Sequence, residues 1–249
     1  PYPEAETLGP GLLFNLRLAK AFDLKHIVVT PISMREGLLI EMGGNRAIAE
    51  NLRGQVLRSA LEIGRKYHAD EAHTKHVAEL CRALFTALQS EHRLTPWHEV
   101  LLTTAALLHD IGLFISIRNH HKHSMYLIQN SELFGLSKKD LEIVALTARY
   151  HRRASPKITH EGYNTLDQSG RLAVAKMAAL LRIADALDRS GSQRVSTISC
   201  SRERNRFIIS IPHLDDFSLE QLALANKGSL FEEVYGLTVV LRGHGSGTE

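Results

Sequence analysis

From Gly54 to about Gly191, apolar residues recur at i, i+3, i+4 and i+7 through six stretches. They are "SALEIGRKYH", "DEAHTKHVAELCRALFTALQSEH", "PWHEVLLTTAALLHDIG", "HHKHSMYLIQNSELFGL", "SKKDLEIVALTARYHRR" and "SGRLAVAKMAALLRIADALDRS". That spacing predicts amphipathic helices. Asp70, Thr95-Pro96 and Ser137 stand where caps or first-turn residues belong, and Gly112, Gly135 and Gly191 where helices should stop. After Gln193 the pattern shortens. "RVSTISCSRERNRFIISIPHLD" holds two β-type runs around "SRERNR", which predicts a hairpin. "DDFSLEQLALANKGSLFEEVYG" reads as helix with a break at Lys227-Gly228, and "LTVVLRG" as a last strand. The closing "HGSGTE" reads as a disordered tail.

The first 42 residues differ. "GPGLLFNLRLAKAFDL" predicts a helix, "KHIVVTPIS" a strand and "MREGLLIEM" a short helix. One helix and one strand cannot cover a sheet face. Residues 1–42 therefore read as the end of an α/β domain, and the opening "PYPEAETLGPG" as the middle of a longer chain. The expected layout is an α/β remnant at 1–42, a Gly-Gly-started linker at 43–53, a helical domain at 54–192 and a small α+β domain at 193–249. The fold class is mainly α, and the last segment is too small to build a rich core unaided.

Composition narrows the function classes. Hydrophobic content of 44% with 23% charge fits a globular protein with a real core. A net charge of +3 with neutral histidines is too mild to argue for a specific nucleic-acid partner. Cys81 and Cys200 lie far apart, which suggests neither a disulfide framework nor a cysteine-based zinc site and fits a cytoplasmic setting. No apolar run approaches ~18 residues, so no membrane partner is expected. The 14 histidines are the unusual feature, because imidazole titrates within the physiological range.

Four of those histidines and an aspartate fall within "ALLHDIGLFISIRNHHKHSMYLI". A divalent ion needs several nitrogen and oxygen ligands converging from rigid elements, which facing helices can supply. His73, His109-Asp110 and Asp185 lie on three predicted helices. Plain readings stand beside this one. His73 can be a surface residue next to His76, and His109-Asp110 a helix-end turn. Asp185 can pair with Arg182 or Arg189 on its own helix. His120 and His123 read as surface residues, with His121 the better candidate. His68, His92 and His98 read as solvent-facing, and Cys81 as a small core residue. Lys122, Arg149, Arg152, Arg153 and Lys157 are suited to binding an anion, Arg through bidentate phosphate geometry and Lys as a point charge.

The pieces "HTKHVAEL", "AALLHDIG" and "LLRIADALDR", in that order, resemble the metal signature of the HD superfamily of metal-dependent phosphohydrolases. The resemblance implies His73, His109, Asp110 and Asp185 as ligands of a divalent metal (Mg, Mn, Fe or Zn), with Asp110 also catalytic. It further implies His121 and His151 as metal or substrate histidines. A second likeness is more specific. "VVTPISMREGLL", with Ser33-Met34-Arg35-Glu36-Gly37, followed by "HHKHSMYLIQNSELFGLS" and "ARYHRR", resembles the exopolyphosphatase/guanosine-pentaphosphate phosphatase family over essentially the whole chain. That implies an HD-like helical bundle, a small α+β C-terminal domain and, at 1–42, the remnant of an actin-like lobe. It also implies polyphosphate or guanosine polyphosphate as partner, a homodimer, and catalysis between actin-like lobes whose phosphate loops this sequence does not contain.

Three functions compete: the polyanion-binding, dimerising C-terminal region of such a phosphohydrolase; an HD-type hydrolase of nucleotides or phosphoesters in its own right; and an interaction module with a relic HD motif.

Overall fold

The computed structural model describes residues 5–26, 46–212 and 216–243. Its contacts divide the chain into a unit of residues 1–49 and a unit of residues 50–249. The first contains helix α1 (Ala5–Ala21), which includes Pro10 and leaves Leu12, Leu13, Phe14 and Leu16 exposed. The expected strand at Lys25–Ser33, the helix after it and the Ser33–Gly37 element lie almost wholly outside the described residues, as does the C-terminal "HGSGTE".

The second unit is a helical bundle with a three-stranded sheet. Helix α2 (Arg46–Lys66) runs through residues 46–53, so the segment expected as a linker is helical there. Helix α3 (Glu71–Ala87) starts on Asp70, whose carboxylate accepts from the amides of Ala72 and His73. A short helix α4 (Gln89–His92) follows. Helix α5 (Pro96–Leu108) begins with a capping box between Thr95 and His98 and with Pro96 in its first turn. Every residue from Val100 to Leu108 is buried, so α5 is a central helix. A 3-10 turn (Ile111–Phe114) leads to helix α6 (His120–Gln129), and helix α7 (Lys138–Arg149) begins with a Ser137–Asp140 capping box. Helix α8 (Gln168–Leu187) is buried without interruption from Met177 to Leu187. It packs on α3, α5 and α7.

The expected hairpin is present. Strand β1 (Ser199–Glu203) pairs antiparallel with β2 (Arg206–Ile211), from Glu203 opposite Arg206 to Ser199 opposite Ser210. Helices α9 (Ser218–Lys227) and α10 (Ser229–Tyr235) break at Gly228, and strand β3 (Thr238–Gly243) joins β2 in parallel. Both helices pack on α8. Phe207, Ile209, Leu224 and Phe231 belong to the same apolar cluster as Leu102, Leu146 and Leu181. The α+β tail thus shares the apolar cluster of the bundle. Its apolar faces have α8 to cover them, which removes the size problem that a free-standing 55-residue unit would meet.

Candidate metal centre

Four helices and the loop after α7 bring the histidines and aspartates together. The N-cap of α3 places His73 in its first turn. At the other end of α5, His109 is fully buried and its Nδ1 lies 2.7 Å from the Ala106 carbonyl. His151, just past α7, is anchored in the same way, with Nδ1 2.6 Å from the Ala148 carbonyl. A carbonyl oxygen only accepts, so in both rings Nδ1 carries the proton and Nε2 of the neutral imidazole is a bare lone pair. His73 matches this pattern through a carboxylate. Its Nδ1 is 2.7 Å from Asp188 Oδ2, and its Nε2 looks toward Asp185 Oδ1 at 3.8 Å.

Asp110 stands in the middle. Its Oδ2 is 3.6 Å from His109 Nε2, and its Oδ1 is 3.3 Å from His120 Nε2 and 3.6 Å from His151 Nε2. Two groups result, each with ligand atoms within 4.8 Å of one another: His73, His109 and Asp110, and Asp110, His120 and His151. A four-coordinate ion with bonds of about 2.0–2.1 Å spaces its ligands about 3.3–3.4 Å apart. The second group already has that spacing. His109 Nε2 is buried without a hydrogen-bond partner, an arrangement that costs free energy unless something fills it. Nε2 lone pairs and carboxylate oxygens converging on one point are all acceptors, and the residues therefore fit a divalent cation.

Electrostatics agree. Burial opposes the charge on Asp110, but the rings of His109, His151 and His120 outweigh it and hold the carboxyl below its ordinary value. Burial likewise opposes charge on Asp185, where Lys227 together with His109 and His151 keeps the carboxyl well below the usual range. Burial, then His109, push His151 down to about 3.

Several expectations change here. Asp185 pairs with neither Arg182 nor Arg189; its partner is Lys227 from α9. Arg182 is instead fully buried and donates to the carbonyls of Tyr150 and Ala154, on either side of His151. His120, expected at the surface, is the ring that reaches Asp110. His121 stands beside it, with Nδ1 buried and unpartnered. Gly112 explains why. A Cβ there would lie 2.1 Å from the His120 carbonyl, so only glycine lets the start of α6 approach this closely. His92, expected to face solvent, is 1% exposed and bridges Phe85 and Leu94.

The expected anion-binding residues fall beside the cage. Burial, then His120, Arg152, Lys122 and Arg149, push His121 down to about 4. Burial, then Arg149, Lys157 and Lys122, lower His160. Lys122, Arg149, Arg152 and Lys157 therefore share one positive neighbourhood with these two rings. Arg153 is exposed and has no hydrogen bond or ion pair among the described residues. Sequence reasoning missed His120, Asp188 and Lys227; only the position of Asp188, one turn after Asp185, offered a signal.

The cage of histidines and carboxylates is thus buried inside a helical bundle. The chain belongs to the Ppx/GppA phosphatase family: residues 57–228 match the family model for Ppx/GppA phosphatase, domain III. Among its relatives are guanosine-5'-triphosphate,3'-diphosphate pyrophosphatases. That of Pseudoalteromonas translucida is 26% identical over 70% of this chain and 34% of its own length. That of Vibrio cholerae is 28% identical over 69% and 34%. That of Photobacterium profundum is 23% identical over 81% and 39%. The chain thus spans little more than a third of the relatives it matches. No helix among the described residues is long and apolar enough to cross a membrane.

Proposed function

We propose that this chain is the C-terminal, helical part of a phosphohydrolase acting on polyphosphate or a guanosine polyphosphate, and that its bundle binds a divalent metal beside a polyanion groove. The acceptor-only cage supports this most: His73, His109, His120 and His151 turn Nε2 toward Asp110 and Asp185. Two ligand groups are candidates for the metal: His73, His109, Asp110 and Asp185 on one side, and Asp110, His120 and His151 on the other. A bound dication lowers the pKa of its water and shields phosphate oxygens. The protein's own groups orient and attract. Asp188 fixes the His73 tautomer, while Lys122, Arg149, Arg152 and Lys157, with His121 at the rim, draw phosphate toward the cage. Residues 1–42 are read as the end of the actin-like lobe in which the family resemblance locates phosphate cleavage.

A second reading is favoured by the same cage: the bundle hydrolyses nucleotides or phosphoesters itself, with Asp110 as the catalytic group. Metal analysis of protein purified without chelator, followed by manganese incubation, tests both readings. Protein that stays metal-free argues against them. Hydrolysis that is present in the wild type and lost in Asp110→Ala selects the second. Polyphosphate binding with steep salt dependence and no turnover selects the first. Sedimentation at two concentrations tests the homodimer that the resemblance implies.

A further inference from the structure

The cage holds one feature that its metal-binding reading does not use. Lys227, at the last turn of α9, forms an ion pair with Asp185 Oδ2, and both side chains are largely buried. Asp185 lies in the middle of the buried run of α8, and its other oxygen faces His73 Nε2 at 3.8 Å. The ammonium thus occupies the Asp185 side of the cage, next to the group formed by His73, His109 and Asp110. It does not touch Asp110, whose Oδ1 lies open to His120 and His151.

Charge decides what such a cage can hold. Asp188 is engaged on both oxygens as an acceptor, from His73 Nδ1 and from the Gln193 amide, and offers the cage no free carboxylate oxygen. Asp110 and Asp185 remain, and Lys227 neutralises the second. One dication then over-balances the remaining carboxylate, while a second would have to enter against a buried ammonium and without a free Asp185. Without Lys227, two carboxylates face two ligand groups that share Asp110, the arrangement suited to a pair of ions. We propose that Lys227 is a resident cation of the cage: it holds Asp185 in the place of a second dication, so that the chain takes up one divalent ion, at Asp110, His120 and His151. The C-terminal segment would thereby set the stoichiometry of a site built by the helical bundle. This rests on the metal-binding reading above.

The test is manganese titration of the whole chain, read by elemental analysis after gel filtration and by electron paramagnetic resonance. The wild type should bind one ion per chain, with the spectrum of isolated Mn(II). Lys227→Met should bind two, with the spectrum of an exchange-coupled pair, and Lys227→Arg should return to one. In the wild-type background His120→Ala should remove the ion. Two ions in the wild type, or one in a folded Lys227→Met protein, would overturn the inference and leave metal binding intact. No ion in either protein would overturn both. The wild-type count decides even if Lys227→Met does not fold.

Discussion

His120 Nε2 lies 3.2 Å from His151 Nε2, although Nδ1 of each ring lies against a backbone carbonyl, that of Ile117 and of Ala148. With both Nδ1 atoms protonated, two lone pairs face each other beside the Asp110 carboxylate, a repulsive arrangement unless a cation sits between them. His120→Ala and His151→Ala should each weaken manganese binding by about 10–100-fold or more, the loss typical when even an outer contact to a metal goes. His121→Ala should leave metal affinity within about threefold and weaken polyphosphate binding instead. Calorimetric titration of both ligands separates the two; equal metal loss in His121→Ala would contradict the assignment.

Much of this was legible in the chain, and the limit is physical. His109-Asp110 closes a run of apolar residues, so burial could be read directly, and a buried polar pair requires partners. Which of His120 and His121 turns inward could not be read. Adjacent helical residues point about 100° apart. The choice is made by Asn119, at φ 60°, and by the contact of Gly112 with the His120 carbonyl. Lys227 lies 42 positions from Asp185, and only the packing of α9 on α8 joins them. The β1–β2 hairpin showed in local turn chemistry, whereas the parallel pairing of β2 with β3 requires a crossover that no local pattern carries.

Gly112→Ala should act on that same junction. The added methyl would meet the His120 carbonyl at 2.1 Å and the Ser124 amide at 2.4 Å, both backbone atoms that cannot rotate aside. A cost of about 1–3 kcal/mol is expected in urea unfolding, as for overpacking elsewhere. Metal affinity should fall as well, because the displaced segment carries His120. Gly191→Ala is the contrast: its φ of 65° is strained for alanine, but nothing lies within 4 Å and the cage is untouched.

Asp188→Asn tests the tautomer argument. Asp188 accepts from His73 Nδ1 and from the Gln193 amide, and it is 1% exposed. An amide in its place can present its NH2 to His73, which favours the tautomer with Nε2 protonated and aims a proton into the cage. In the Lys227→Met background, uptake of the second ion should weaken about 10–100-fold, while the single ion of the Lys227 protein, at Asp110, His120 and His151, should be held within about threefold. An undiminished second ion would show that His73 is not a ligand.

Arg182→Met addresses the loop after α7. The guanidinium is fully buried and donates to the Tyr150 and Ala154 carbonyls at 2.7 Å each. Methionine fills part of the volume but leaves both carbonyls unpaired, at about 1–3 kcal/mol per buried group. Destabilisation of about 2–6 kcal/mol is expected on that basis, together with weaker metal binding, because His151 sits between the two clamped carbonyls. Loss of stability with full metal affinity would mean that the clamp supports the core but does not position His151.

His92 predicts a pH dependence far from the metal ligands. Its Nδ1 accepts from the Leu94 amide, so Nε2 carries the proton and donates to the Phe85 carbonyl at 2.7 Å. Burial, reinforced by the charge of Lys176, lowers its pKa below the ordinary histidine value despite the opposing Phe85 contact. Protonation would cost the Leu94 hydrogen bond and place a charge in the core. A base whose folded pKa is depressed takes up its proton more readily in the unfolded chain. Its stabilisation is complete above the unfolded value of about 6.5 and is lost as pH falls below it. His92→Gln removes that proton from the balance. Relative to wild type, the variant should be less stable at about pH 8, where the bridge is lost, and the gap should narrow as pH falls from about 6.5 toward about 5. Urea midpoints at several pH values measure the gap; one that stays constant or widens with acid would show that the His92 ring is not held neutral by the fold.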